Sequence, residues 1–402
     1  MTTDLGEYLP ERVKRVGVNV GEHEAGILSK EAHASFFYTN KDYPVSLTMP
    51  YRELPYNHGV VHPIFAQNLP EGFLRRYIHE KLLRYAQVDD MYLLALMKDK
   101  GVGHLSYPSE VELPDAEGVA LDEILHWHES QPLFPQLLER FYLNGMASGV
   151  QPKVMVARAT VLQNDVIVKT YDEEFPLLTV NEFVCMKCAQ SCGFEVPQVW
   201  LSDNFEHYVV ERFDTLPSGE KLGIEDFATL LGRSGDEKYK GSYENILKAT
   251  RLNTGSLSQV ENVFKLIAFN CLIGNGDAHL KNFSLVYESD FNNIRLSPVY
   301  DVTHTLIYPE IDNSMALKMR KSRSFPNRQQ LVEFAYSAGI PTRVAADLID
   351  QMADNLNDCL SALAEAAAMP GLKESMLKHL SAVMHQQHVK KVYRHEKKRK
   401  YR

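Results

Sequence analysis

One stretch of this 402-residue chain leaves the fold little freedom. It reads Ile273-Gly-Asn-Gly-Asp277-Ala-His279-Leu-Lys281-Asn282-Phe-Ser-Leu-Val-Tyr287, then a polar turn, then Ser297-Pro-Val-Tyr-Asp301. Asp277 and Asn282 share one short loop, and the apolar run after them predicts a hairpin that brings Asp301 back beside them. Three oxygen-bearing side chains would then converge on a rigid base. An Asp that accepts a hydrogen bond from an attacking hydroxyl, with an Asn and a second Asp holding Mg²⁺ against phosphates, is what phosphoryl transfer requires. A plain turn, with Asn and Asp bonding their own backbone, is the alternative. It leaves Asn282 and Asp301 as coincidences.

Upstream residues follow in the order of a protein kinase. Ser148-Gly149-Val150-Gln151-Pro-Lys153 is a loop of small residues whose backbone N–H groups could approach phosphates closely, although it is no G-x-G-x-x-G loop. The run VMVARATVLQNDVIVK predicts a β-hairpin ending in Lys169, placed to meet the α- and β-phosphates of ATP. On the following predicted helix Glu182 is positioned to pair with Lys169, though a Glu near a helix N-terminus is also favoured by the dipole alone. HYVVERFD then reads as a strand and connector in which backbone groups of Glu211, Arg212 and Phe213 would hold an adenine edge.

With those motifs in kinase order, the expectation for the whole chain is an α+β, bilobal protein-kinase-like fold. Short β-type runs in the first fifty residues predict a small twisted sheet. From Phe65 onward helical spacing takes over, with Phe73, Ile78, Leu82, Leu83 and Tyr85 near one face and a second helix at Leu93 to Met97. LDEILHW and FPQLLERFYL predict two further short helices. The expected boundaries are 1–137 for a β-rich and helical N-terminal domain, 138–223 for a kinase N-lobe, and 224–402 for an all-helical C-lobe. In the last of these Ala345, Leu348, Ile349, Met352, Leu356, Leu360 and Leu363 share a face.

Composition excludes several classes. Hydrophobic residues at 45% and charged residues at 24% argue against extended disorder. The N-terminus has no signal-peptide core and no run nears the ~18 apolar residues of a membrane span, so the expectation is a soluble cytoplasmic protein. Five cysteines, an odd count, point to reduced thiols. Cys185, Cys188 and Cys192 lie on one predicted helix and read as core thiols rather than a zinc knuckle, and His126 and His128 diverge too far for a metal pair. The last thirteen residues, 390–402, hold eight Lys or Arg against one Glu, leaving −16 on the rest of a chain whose formal net charge is −9. Such a tail could lie along nucleic acid or be a solvated helix end.

SGVQPK, VERFD, IGNGDAHLKNFSL and SPVYD resemble the corresponding blocks of HipA-family kinases, the toxins of bacterial toxin–antitoxin modules, and FAQNLPEGFLRR is similar to that family's N-terminal NLLPEG stretch. The likeness spans residues 14 to 365. It implies a serine/threonine protein kinase using ATP and Mg²⁺, with Asp277 as base, Asn282 and Asp301 as metal ligands, and Lys169 on ATP. His279 and Lys281 would serve loop support and charge at the transferring phosphoryl, His279 equally being a packed structural histidine. The implied partners are a protein substrate, an aminoacyl-tRNA synthetase among the candidates, and a HipB-like helix-turn-helix antitoxin that brings DNA with it. The chain departs from the family at Met146, where HipA-like kinases carry a regulatory serine; Ser148 matches the second serine of the HipT-like members, so autophosphorylation would fall there. Two other readings stay open. Gly276 to Asn282 also satisfies the G-D-x-H-x-x-N loop of aminoglycoside-type small-molecule kinases, and a non-catalytic corepressor that holds an antitoxin on DNA is the third.

Overall fold

The structure, a computed structural model, describes residues 9–99, 101–111, 118–141, 153–156 and 166–385. Ser148, Gly149, Val150 and Gln151 of the expected phosphate loop and the basic end 390–402 lie outside those residues, as does the side chain of Lys153.

The N-terminal sheet is antiparallel, in the order β4-β3-β2-β1-β5. Its strands are β1 (Arg15–Val20), β2 (His23–Lys30), β3 (Ala34–Tyr38), β4 (Tyr56–His58) and β5 (Leu105–Ser106). Alternation sends Val16, Val18 and Val20 into the core. Against it lie helices α1 (Pro63–Ala66), α2 (Gly72–Leu82) and α3 (Asp90–Met97), followed by α4 (Leu121–Leu125) and α5 (Leu133–Phe141). The Asp89 carboxylate caps α3 by accepting from the Tyr92 N–H at 3.0 Å. Two positions assigned to the buried face by spacing are not on it: Leu83 is 62% and Tyr85 39% exposed. The helix ends at Leu82, so the period no longer applies beyond it, and Leu74, Ile78 and Leu82 form the buried stripe.

The second sheet runs β6-β7-β9-β8. It comprises β6 (Lys153–Val156), β7 (Val166–Lys169), β8 (Val199–Leu201) and β9 (Tyr208–Glu211), with α6 (Leu178–Ser191) between β7 and β8. Its two faces belong to different cores. Val166, Val168 and Val209 join the apolar cluster of the N-terminal sheet, whereas Ile167, Tyr208 and Val210 join that of the C-terminal helices. Period-2 alternation therefore fixes Lys169, two residues after Ile167, on the face toward the C-terminal half.

That half is helical but carries a small sheet of its own, β10-β11-β12, from β10 (Gly223–Asp226), β11 (Ser284–Tyr287) and β12 (Arg295–Leu296). The expected hairpin is present, and β10, which sequence pattern did not announce, joins it from sixty residues upstream. Around it stand α7 (Phe227–Leu230), α8 (Tyr243–Thr254), α9 (Leu257–Ile273), α10 (Arg328–Ser337), α11 (Thr342–Ala362) and α12 (Leu372–His385). Ala345, Ile349, Met352, Leu356 and Leu360 make the buried face of α11, with Leu348 and Leu363 at its margin. Cys185, Cys188 and Cys192 are free and buried, and burial holds the Cys185 thiol up and the Cys192 thiol at about 12. Among the described residues no group of His, Cys, Asp or Glu could hold a metal by itself, and no helix is long and apolar enough to cross a membrane.

Candidate active site

The loop that carries Asp277 is built by glycine. Helix α9 ends on Gly274 in the left-handed region, φ 76°, and a Cβ on Gly276 would come within 2.7 Å of both the Ser314 carbonyl and the Thr305 hydroxyl. With that room the Gly276 N–H donates to Thr305 Oγ1 at 2.8 Å and the Asp277 N–H to Asn275 Oδ1 at 3.0 Å. A single tight turn, Leu280–Asn282, follows, in which Asn282 Oδ1 accepts from the His279 N–H at 3.0 Å. Strands β11 and β12 then return the chain to Asp301, itself at φ 52°. The Tyr300 hydroxyl ties that return to the loop by donating to the Lys281 carbonyl at 2.9 Å.

Asp277, Asn282 and Asp301 line one cavity of about 230 Å³ together with Lys169, Glu182, His279 and Lys281. Glu211, Arg212 and Phe213 border the same space. The Arg212 guanidinium is engaged by Asp214 at 2.9 Å and by the Gly101 carbonyl at 2.7 Å, which suits a connector that offers main chain to a ligand. Lys153 lies in register opposite Lys169 across β6 and β7.

Lys169 is 3% exposed and sits between two carboxylates. Its Nζ is 2.5 Å from Glu182 Oε1 and also bonds Asp301 Oδ1. Burial alone would push the ammonium toward neutrality, but Asp301 and Glu182 outweigh it and hold its pKa above the ordinary value. Helix α6 does more than carry Glu182: the Asn181 amide donates to the His304 carbonyl at 2.9 Å and accepts from the His304 N–H at 2.8 Å, clamping the segment after Asp301.

Asp277 opens to solvent through the cavity, yet surrounding protein pushes its pKa up to about 6, with Lys238 and a hydrogen bond from Tyr239 pulling the other way. That bond runs from the Tyr239 hydroxyl to Asp277 Oδ1 at 3.2 Å, so the carboxylate already accepts from a hydroxyl. His279 is 6% exposed, its ring edge-on to Tyr239 with centroids 5.1 Å apart, and burial drops its pKa to about 3. It is a neutral, packed group.

Lys281 does not stand free at the cavity wall. Its Nζ is 2.6 Å from Glu71 Oε1, and Lys238 Nζ is 3.2 Å from Glu71 Oε2. Burial would raise the Glu71 carboxyl, but Lys281 and then Lys238 bring it down to about 2. Glu71 belongs to the NLPEG stretch at the start of α2, which Gln67 fastens to the C-terminal half by donating to the Ile224 carbonyl at 2.8 Å. Sequence reasoning missed Glu71, Lys238 and Tyr239 as site residues; the signal for Glu71 was the likeness of its NLPEG stretch to the family's N-terminal motif.

The donor set fits a magnesium nucleotide: hard oxygens from Asn282 and Asp301, an ammonium at Lys169, and an apolar wall from Val102, Ile167, Val210 and Ile224. The Tyr208 hydroxyl and His279 Nδ1, both buried at this cavity, have no hydrogen-bond partner among the described residues.

Comparison with known proteins bears on the family and the fold. Residues 145–360 match a family model described as the HipA-like C-terminal domain, and residues 16–108 one described as the HipA N-terminal domain. A candidate kinase of Sinorhizobium fredii, Y4dM, is 29% identical over 312 residues, 73% of this chain and 74% of its own. The serine/threonine-protein kinase toxin HipA of Shewanella oneidensis is 24% identical over 392 residues, 86% of this chain and 88% of its own. The solved structure of Shewanella oneidensis HipA with HipB and operator DNA superposes at a TM-score of 0.71 and 19% identity, covering 91% of this chain and 96% of that one.

Proposed function

The chain belongs to the HipA family and is a kinase, and from that premise we propose that it moves the γ-phosphoryl of Mg-ATP to a serine or threonine hydroxyl of a protein substrate, as the toxin of a toxin–antitoxin pair. The observation that carries this reading is the convergence of Asp277, Asn282 and Asp301 on one cavity whose far wall holds the Lys169–Glu182 pair.

In this reading Asp277 accepts the proton of the acceptor hydroxyl, from the place where it now accepts from Tyr239. Asn282 and Asp301 would hold the metal and Lys169 the α- and β-phosphates; when bound, the metal supplies charge neutralisation on the transferring group. Glu182 keeps Lys169 oriented. His279, neutral and packed, supports the loop, and Lys281 brings positive charge to the phosphoryl side. Residues 1–137, 138–223 and 224–402 serve as N-terminal domain, N-lobe and C-lobe. Ser148 is the candidate for autophosphorylation.

The partners are proposed from the relatives. HipA of Shewanella oneidensis is seen with HipB and operator DNA, so a HipB-like helix-turn-helix antitoxin would neutralise this chain in the cytoplasm, with residues 390–402 as an auxiliary contact to DNA. The substrate would be a protein of translation such as an aminoacyl-tRNA synthetase, its phosphorylation arresting growth.

The test is radiolabelled ATP with purified protein on a cell extract, wild type beside Asp277→Ala. Label on protein bands with the wild type alone is the expected result. Label only on small molecules would favour the aminoglycoside-kinase type of chemistry, and no label at all would sink the kinase reading in favour of a corepressor.

A further inference from the structure

Glu71 comes from the N-terminal domain, yet it meets Lys281, one residue before Asn282, across 210 positions of sequence. It meets Lys238 as well, and Lys238 precedes the tyrosine that bonds Asp277. One carboxylate thus bridges the two lysines that flank the candidate base. All three are largely enclosed: the side chains of Lys238, Lys281 and Glu71 are 6%, 16% and 19% exposed.

Such a bridge is not explained by stability. A buried ion pair seldom repays its desolvation against an apolar replacement, and here two ammonium groups are gathered at one cavity wall, held by Glu71 with the charge of Asp226 beside Lys281. Two ammonium donors at one wall, beside a base for a hydroxyl, are suited to receive an anion. A phosphoryl group arriving there competes with Glu71 for the same N–H donors.

We propose that Glu71 is a positioning residue for phosphoryl transfer: it holds Lys281 and Lys238 in place beside Asp277 until the phosphates of the nucleotide become their counter-ion. This rests on the kinase reading. The N-terminal domain is then part of the active site, acting through the lysines and not on the substrate. Loss of the carboxylate releases two long side chains to adopt other rotamers, which lowers turnover, while their freed charge attracts ATP at least as well as before.

The experiment is steady-state phosphoryl transfer from radiolabelled Mg-ATP by the full chain, as wild type, Glu71→Gln, Lys281→Met and the double variant, each with a thermal melt. Expected for Glu71→Gln is a kcat reduced about ten- to a hundredfold, as for a misplaced group near the chemistry, with an unchanged or lower KM for ATP. The double variant should lose less than the product of the two single losses, because the carboxylate acts in part through that lysine. A kcat equal to wild type, a raised KM with kcat unaltered, or losses that multiply in the double variant would each overturn the proposal. If Glu71→Gln melts below the assay temperature, Glu71→Asp, which keeps the charge and shortens the reach, takes its place under the same criteria. An inactive wild type removes the kinase reading and this inference with it; an active wild type with any of the overturning results removes the inference alone.

Discussion

Two buried charge clusters face each other across the cavity, and they are inverses. On one side a single ammonium, Lys169, is shared by two carboxylates, Glu182 and Asp301. On the other a single carboxylate, Glu71, is shared by two ammoniums, Lys281 and Lys238. A cation and an anion brought in together, as a magnesium nucleotide brings them, would find both carboxylates and ammoniums along the one cavity. Neither cluster would be retained for stability alone.

The largest effect should come from Asp277, which stands between the clusters and belongs to neither. Asp277→Ala is expected to cut turnover by a factor on the order of 10³, the usual scale of a general base, while the melting temperature barely moves; retained activity would remove the base from the scheme. Next is the contrast between the clusters. Lys169→Met takes the ammonium away from the buried Glu182 carboxylate and should destabilise the fold by about 3 kcal/mol, with ATP-dependent activity lost. Lys238→Met leaves Glu71 still paired to Lys281 and should destabilise by less than about 1 kcal/mol. Equal losses in denaturant titrations would show that the two clusters are not inverses in energy.

Acidity offers a finer probe. A base must be deprotonated to act, so the rate should fall as pH drops through about 6, the value to which burial pushes Asp277. Lys238 is the first charge that opposes that shift. Lys238→Met should therefore move the acid limb of the pH–rate profile to higher pH, and an unmoved limb would assign it to another group. An effect on stability alone concerns Glu225, where the N-terminal domain docks on β10. It accepts from the Leu47 N–H at 2.6 Å, the Ser46 hydroxyl at 2.9 Å and the Tyr287 hydroxyl at 2.8 Å, yet burial still raises its pKa from 4.5 to about 7. A raised carboxyl pKa means that the folded state holds the proton more tightly, so stability is greatest below about pH 4.5 and declines as pH rises toward 7. Glu225→Gln should flatten that decline, worth about 1–3 kcal/mol, in melts recorded between pH 5 and 8.

The same contrast separates what could be read in the sequence from what could not. The members of the Lys169 cluster announce themselves because each closes an element with its own local pattern: VIVK ends a β-branched run, Glu182 opens a helix, and SPVYD follows a hairpin. Their order along the chain is the order of their assembly. The Lys281 cluster has no such grammar. Glu71 sits just before a helix whose periodicity concerns Leu74, Ile78 and Leu82, and Lys238 lies in a polar stretch that reads as solvated surface. Only the docking of one domain on another, through Gln67 on Ile224 and Ser46 on Glu225, brings them together. Strand β10 was missed for a related reason, since four residues of Gly-Ile-Glu-Asp have no alternation to detect and pair only because β11 presents an edge.

The four-stranded sheet has one further consequence. Because Val166, Val168 and Val209 are claimed by the first core and Tyr208 and Val210 by the second, it works as a party wall. Cutting the chain near residue 140 would leave a hydrophobic surface bare on both fragments, so the two halves should inherit insertions and losses jointly. A sequence change on the valine side could then be felt at Lys169, a single residue's thickness away, with no contact to any ligand.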